Sequence, residues 1–175
     1  RDTGWHAQIA NCRYLIGAAL FQLGRLDAAR ATLEEVLATT RDNPGLPVVG
    51  QAEERLGWVL LRQGHAREAA ALFEVVHARA LRQNFRDLEV EALNGLAQSQ
   101  LALGDRSAAR VIAAQTLALT RRHGIAYGEL LALKTQAEIE RADPVAALQA
   151  LQQAERLSQA NADLKLNAEL LAAMA

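Results

Sequence analysis

The sequence predicts an all-α fold: a right-handed α-solenoid of about four antiparallel helix pairs, closed by a C-terminal capping helix. Three observations predict it. Strong helix formers, above all alanine and leucine, dominate a chain of 175 residues that is 51% hydrophobic and only 4% aromatic. Apolar residues recur every three or four positions, as on the buried face of a helix. A glycine also recurs every 40 residues, at Gly24, Gly64 and Gly104.

Four segments of similar sequence define an internal repeat. Three of them carry the recurring glycine, and Ala142 takes its place in the fourth. Five residues later each copy has an alanine; these are Ala29, Ala69, Ala109 and Ala147. Glycine permits the left-handed backbone of a tight helix exit, and a small residue one turn later lets two helices approach closely. Each repeat is therefore expected to be a helix pair that buries its apolar face by stacking on its neighbours.

The predicted elements follow in chain order. The first helices of the pairs cover roughly 5–23, 48–63, 87–103 and 126–141, and the second helices roughly 26–41, 66–83, 106–123 and 144–159. The apolar spacing is carried by Ile9, Cys12, Ile16, Leu20 and Leu23 in the first helix, and by Leu26, Ala29, Leu33, Val36 and Leu37 in the second. The breakers between pairs are Asn43-Pro44-Gly45 with Pro47, Asn84, and Gly124 with Gly128.

The repeats are thus predicted at roughly 5–43, 47–84, 87–124 and 126–160, and residues 162–174 as the capping helix. Composition does not shift along the chain, so residues 1–175 are predicted to form a single domain.

These residues resemble the tetratricopeptide repeat family. The turn glycines and the four alanines match two of its positions, and its small residue in the first helix is matched by Gly17, Gly57 and Ala97. Its large apolar position is matched by Leu33, Phe73 and Leu151, but not by Ala113. The period is longer than the family's usual value of about 34 residues. Such long repeats are similar to the repeat arms of bacterial LuxR-type regulators and signalling ATPases. The competing solenoid is the HEAT or armadillo type, with a period of about 40–47 residues.

The resemblance implies a binding site in a concave groove lined by the first helices, where family members hold a protein or peptide segment. Carried onto this sequence, the groove residues are Asn11, Tyr14, Phe21, Glu54, Arg55, Trp58, Arg62, Asn94, Gln98 and Gln136. Trp58 is the leading candidate, because Trp, Tyr and Arg are typical energetic anchors of interfaces. The alternative interpretation is that Phe21, Leu61 and Leu101 pack against helices of the same chain and that the glutamines are only solvated.

Composition and motifs argue against several functions. The 19 basic and 20 acidic residues balance, unlike those of a dedicated nucleic-acid binder. No apolar run reaches the roughly 18 residues of a membrane span, and the single Cys12 cannot form an internal disulfide. Nucleotide-binding, zinc-protease and hydrolase motifs are missing, so no catalytic activity, cofactor or metal site is predicted. Cys12 is interpreted as a small core residue.

The predicted function is a non-catalytic protein or peptide interaction module within a larger bacterial regulatory or signalling protein of the cytoplasm. The excess of arginine over lysine indicates a bacterial source with GC-rich DNA. The alternative is the ligand-sensing arm of a transcription regulator or signalling ATPase, binding a small inducer. No polar capping helix precedes Trp5. The outer apolar face of the first repeat is therefore expected to pack on a second copy, as a homo-oligomer, or on sequence outside this chain.

Overall fold

A computed structural model describes residues 3–161, which form eight α-helices. The helices are α1 (Thr3–Gln22), α2 (Leu26–Thr39), α3 (Pro47–Arg62), α4 (Ala66–Gln83), α5 (Arg86–Ala102), α6 (Arg106–His123), α7 (Ala126–Ile139) and α8 (Pro144–Ala160). Their bounds agree with the predicted ones to about two residues. No strand occurs between residues 3 and 161, so the all-α prediction is confirmed. The capping helix predicted at 162–174 lies outside the described residues.

The recurring glycines lie at the turns inside the first three helix pairs, as predicted. The φ angles of Gly24, Gly64 and Gly104 are 71°, 85° and 85°, in the left-handed region that glycine adopts without a steric penalty. The fourth turn differs, because Ala142 does not have a positive φ. Here the side chain of Asp143 caps α8 instead, accepting hydrogen bonds from the first backbone N–H groups of that helix.

The chain divides inside α5 into two compact units, Arg1–Gly95 and Leu96–Ala175. In the first unit α1 packs on α2, α2 on α3 and α3 on α4, while α1 also contacts α3. In the second unit α6 packs on α7 and α7 on α8. Consecutive helices therefore pack on one another in each unit, as in an α-solenoid. None of the described helices is long and apolar enough to cross a membrane.

Small and large residues meet in the core as the repeat pattern predicts. Leu33 lies over Gly17, where an added Cβ would sit 2.9 Å from the Leu33 Cδ2. The ring of Phe73 lies over Gly57 in the same way, and it also covers Gly95 of α5, a close approach that the repeat pattern does not predict. The small residues that follow the first three turns, Ala29, Ala69 and Ala109, are completely buried.

The inward face of α1 is not the predicted one. Ile9, Cys12 and Ile16 are exposed, so the interpretation of Cys12 as a core residue is wrong. The buried positions are instead Ala10, Gly17 and Phe21. The reason is that α1 has small or apolar residues on two sides, and the side with Gly17 is the one that lets Leu33 of α2 approach.

The fourth repeat also differs from its predicted register. Leu151, assigned to the large apolar position, is exposed, and Ala147 is only partly buried. The buried residues of α8 are Ala150 and Ala154. Because the turn before α8 lacks the left-handed glycine and relies on an Asp cap, α8 presents a different side to α7. Gly128, predicted as a breaker, is buried inside α7.

Candidate functional site

Side chains from three first helices of the repeats meet in the first unit. Residues spaced three, four or seven apart share one face of a helix. Tyr14 and Phe21 therefore lie on one face of α1, and Arg55, Trp58 and Arg62 lie on one face of α3. We call the whole set the Arg55 cluster. Its members are Tyr14, Phe21, Glu54, Arg55, Trp58, Arg62 and Glu91.

Two arginines stack on one aromatic ring in this cluster. The guanidinium carbons of Arg55 and Arg62 lie 5.5 and 5.0 Å from the ring centroid of Phe21. Arg62 Nη1 also donates a hydrogen bond of 3.3 Å to the Phe21 carbonyl oxygen, which joins α3 to the end of α1. Each cation–π contact contributes about 0.5–2 kcal/mol, depending on its exposure. Since Phe21 is buried beneath them, the cluster presents positive charge there rather than an open apolar ring.

Arg55 is itself largely enclosed, next to a buried carboxylate. Its Nη2 lies 3.7 Å from Oε2 of Glu54, and its Nε is buried with no hydrogen-bond partner among the described residues. Burial by itself would lower the pKa of Arg55, but the Glu54 carboxylate and the Tyr14 hydroxyl outweigh it and raise that pKa. Burial raises the pKa of Glu54, against the opposing effects of Arg55 and a hydrogen bond from Trp58.

Glu91 contributes a second carboxylate from α5. Its burial, and then the neighbouring charge of Glu54, raise the pKa of Glu91 to about 7, with a smaller contribution from Asp87. Arg55 acts in the opposite direction and lowers it. The charge of the cluster therefore changes near neutral pH, because Glu91 exchanges its proton in that range.

Trp58 is half-buried and connects the cluster to the core. Its ring packs edge-on against Phe73, with centroids 5.3 Å apart and an interplanar angle of 67°. Its indole N–H donates to Glu54, which orients that carboxylate. Trp58 thus supports the site structurally as well as offering part of its ring to solvent.

The other four predicted groove residues have different surroundings. Asn11 is exposed on α1, and Asn94 is buried on α5. Gln98 belongs to the second unit, where it donates to the Thr135 hydroxyl at 3.2 Å and to the Glu138 carboxylate. Gln136 lines a cavity of about 200 Å³ in that unit; the other lining residues are Arg110, Ala113, Ala114, Leu117, Ala118, Arg121 and Ile139.

Stacked helix pairs with glycine turns and small–large packing define a helical repeat protein. Residues 6–82 match the family model Tetratricopeptide repeat, which supports the predicted resemblance to the tetratricopeptide repeat family. The match favours this family over the HEAT or armadillo type, and it includes every member of the Arg55 cluster except Glu91. No curated protein matches the chain.

Proposed function

We propose that the protein is a non-catalytic interaction module that binds a protein or peptide segment at the Arg55 cluster. Tetratricopeptide repeats are generally protein–protein interaction modules. The observation that carries the assignment to this surface is the stacking of Arg55 and Arg62 on the single ring of Phe21. This arrangement fixes two guanidinium groups on a face built by the first helices of the repeats.

The chemistry of the cluster favours a segment that carries carboxylates. Arg62 is exposed, and among the described residues its guanidinium contacts the Phe21 ring and carbonyl oxygen. A guanidinium has five N–H donors in a planar fork, so Arg62 retains donors for a partner carboxylate. The partly exposed ring of Trp58 lies on the same helix, one turn away, and suits an apolar neighbour of that carboxylate.

The experiment is a selection of random peptides displayed on phage, followed by fluorescence anisotropy with the selected sequences. We expect enrichment in Asp and Glu, and binding that weakens as salt rises. Arg62→Ala should reduce affinity at least about tenfold, as for loss of a charge-assisted contact. The matched control is Arg122→Ala, at an exposed arginine at the end of α6. Equal binding by Arg62→Ala and the unchanged protein, or no selected binder, would count against the assignment.

A second candidate function is the ligand-sensing arm, supported by the cavity in the second unit. Arg110, Arg121 and Gln136 place polar groups around an otherwise apolar wall. Its volume, about 200 Å³, is smaller than the roughly 300–1,000 Å³ of most ligand pockets, so only a small inducer would fit. Thermal-shift screening of small anions and fragments tests this function. A hit should disappear in Ala114→Trp, which fills the cavity, and remain in Arg62→Ala.

We further propose that this module works within a larger bacterial regulatory or signalling protein of the cytoplasm. The resemblance of its long repeats to the arms of LuxR-type regulators and signalling ATPases supports this context. The arginine-rich composition is in keeping with a bacterial source.

A further inference from the structure

We propose that the cavity of the second unit binds a small carboxylic acid, whose apolar body lies on Ala113 and whose carboxylate bonds to Arg110. The proposal rests on the ligand-sensing function suggested above for this cavity, and it names the chemical class of the inducer. The cavity is lined by α6 and α7 and has a volume of about 200 Å³. An apolar cavity of about 150 Å³ is enough to hold benzene, so an apolar body of about six carbon atoms fits here.

The cavity lies where the third repeat lacks a large side chain. The first two repeats carry Leu33 and Phe73 at their large apolar position, and both side chains are completely buried. Forty residues after Phe73, the same position is Ala113. Ala113 packs with Ile139 in a small apolar cluster, and both residues line the cavity. Because an alanine cannot fill the space that leucine or phenylalanine takes, the floor of the cavity is open to an apolar ligand.

The third repeat also lacks an acidic side chain at the following position. This position is Glu34 in the first repeat and Glu74 in the second, but Ala114 in the third. Within α2, Arg30 Nε donates a hydrogen bond of 2.8 Å to Oε1 of Glu34. Arg110 stands at the position of Arg30, eighty residues later, and has no acid four residues on. A ligand carboxylate above Ala114 supplies the acceptor that the first repeat has in its own chain.

Arg110 keeps hydrogen-bond donors for such a ligand. Its Nε and Nη2 donate to the carboxylate of Glu140 at 2.6 and 2.9 Å, and these bonds leave the two N–H groups of Nη1 unused. Gln136 lies on the α7 wall of the cavity, and its amide adds a further donor. At the other end of the cavity Arg121 already donates to acceptors on both α7 and α8. Arg110 is therefore the residue assigned to the carboxylate.

The missing side chains together define the shape of the ligand. Leucine or phenylalanine followed by glutamate supplies an apolar group and a carboxylate side by side in the earlier repeats. The pair Ala113-Ala114 supplies neither. A compact apolar body that carries one carboxylate replaces both groups, whereas a neutral molecule of the same size replaces only the first.

Titrations followed by two-dimensional amide NMR at constant ionic strength test the ligand class. The probes are cyclohexanecarboxylate and its neutral counterpart cyclohexylmethanol. Both should shift the amide signals of Ala113 and Ala114, and the acid should bind at least about tenfold more tightly, as for a charge-assisted contact. Equal affinities would overturn the carboxylate contact while leaving the ligand-sensing function intact. If neither probe shifted these signals, both proposals would fail.

Ala114→Glu tests the contact with Arg110 by restoring the acid of the earlier repeats. It should weaken binding of the acid at least about tenfold, because the new side chain takes the donors of Arg110. The matched control is Gln115→Glu, which adds the same charge at the next exposed position of α6, outside the cavity lining. Glu140→Gln should have the opposite effect and strengthen binding of the acid. An Arg110→Gln variant that still preferred the acid to the alcohol would overturn the assignment.

Ala113→Leu tests the position of the apolar body. This change restores the residue of the first repeat, so both probes should lose binding while circular dichroism shows an unchanged helix content. Ala118→Leu, at an exposed residue of the same lining, gives the test a second variant outside the core. Arg62→Ala should bind both probes normally, which separates this cavity from the proposed peptide site. Probe binding that survived both leucine variants would overturn the proposal.

Discussion

The ring of Phe73 occupies the space in which a side chain at Gly57 would lie. A Cβ added to Gly57 would sit 2.7 Å from the Cζ of that ring, closer than real Cβ atoms approach. We therefore expect Gly57→Ala to lower the free energy of unfolding by about 1–3 kcal/mol through overpacking. Phe73→Ala should lower it by about 3–5 kcal/mol through loss of a buried ring. Urea unfolding followed by circular dichroism measures both.

Gly45→Ala is the matched control for this prediction. A Cβ at Gly45 meets no atom within 4 Å, and the φ of this residue is not in the left-handed region. The variant should therefore be within about 1 kcal/mol of the unchanged protein, or slightly more stable. If Gly57→Ala were as stable as Gly45→Ala, the close packing of Phe73 on α3 would be wrong.

The two bidentate ion pairs should differ in their importance for stability. Arg79 and Glu53 are joined by two hydrogen bonds of 2.8 Å with both side chains largely buried, and Arg79 also donates to the Pro44 carbonyl oxygen. Arg79→Ala strands a buried carboxylate, so it should cost about 3–5 kcal/mol. Arg110 makes a similar pair with Glu140 but is exposed, so Arg110→Ala should lower the free energy of unfolding far less than Arg79→Ala does.

Chemical denaturation of both variants checks this difference, with circular dichroism confirming that each begins folded. Comparable losses in the two would show that burial does not govern the strength of these pairs. The Glu53→Gln, Arg79→Met double variant should recover part of the stability lost in Arg79→Ala, because it leaves no buried charge without a partner.

Glu91 should make stability fall as pH rises towards neutrality. Its pKa in the folded protein is about 7, whereas a glutamate in an unfolded chain titrates near 4.3. Between these values the folded state holds a proton that the unfolded state has released, so the free energy of unfolding decreases with increasing pH. Glu91→Gln removes this effect and should gain about 1–3 kcal/mol relative to the unchanged protein between about pH 5 and pH 8.

Urea titrations at several pH values check this prediction, with Glu74→Gln as the control at an exposed glutamate of α4. The difference between Glu91→Gln and the unchanged protein should widen as pH increases, while the difference for the control stays constant. Parallel pH profiles for all three proteins would contradict the shifted pKa.

The third and fourth turns should respond differently to exchanging glycine and alanine. Gly104 has a φ of 85°, so Gly104→Ala forces a side chain into the left-handed region and should cost about 1–2 kcal/mol. Ala142 occupies the equivalent place without a positive φ, so a glycine there relieves no backbone strain. Ala142→Gly should therefore not raise the free energy of unfolding, and it should increase the entropy of the unfolded chain. Thermal unfolding measures both; a stabilised Ala142→Gly variant would disprove the difference between the turns.

The helix pairs could be predicted because their turns and packing are encoded locally. Gly64 ends one helix, Ala69 begins the contact and Phe73 completes it, all within ten residues. The inward face of α1 could not be predicted in this way. Ile9 and Ile16 follow helical spacing as well as Ala10 and Gly17 do, and only the position of α2 decides between the two sides.

The candidate site was predictable only in part. The family resemblance names Glu54 and Trp58 as groove positions, and Arg55 and Arg62 lie next to them on the same helix. Their stacking on Phe21 and the raised pKa of Glu91 depend on distances between α1, α3 and α5, which no spacing along the sequence specifies. Gln136 was assigned by aligning the fourth turn with the others, and that turn lacks the glycine that defines the register.

One aromatic side chain is shared between successive repeats of the first unit. Phe73 rests on Gly57 in its own helix pair and on Gly95 in the pair that follows. If either α3 or α5 detached, the ring would lose its contacts with that helix, and its packing on the remaining helix would be weakened as well. Amide protons of α3, α4 and the first part of α5 should therefore exchange with solvent in one shared opening event instead of fraying repeat by repeat.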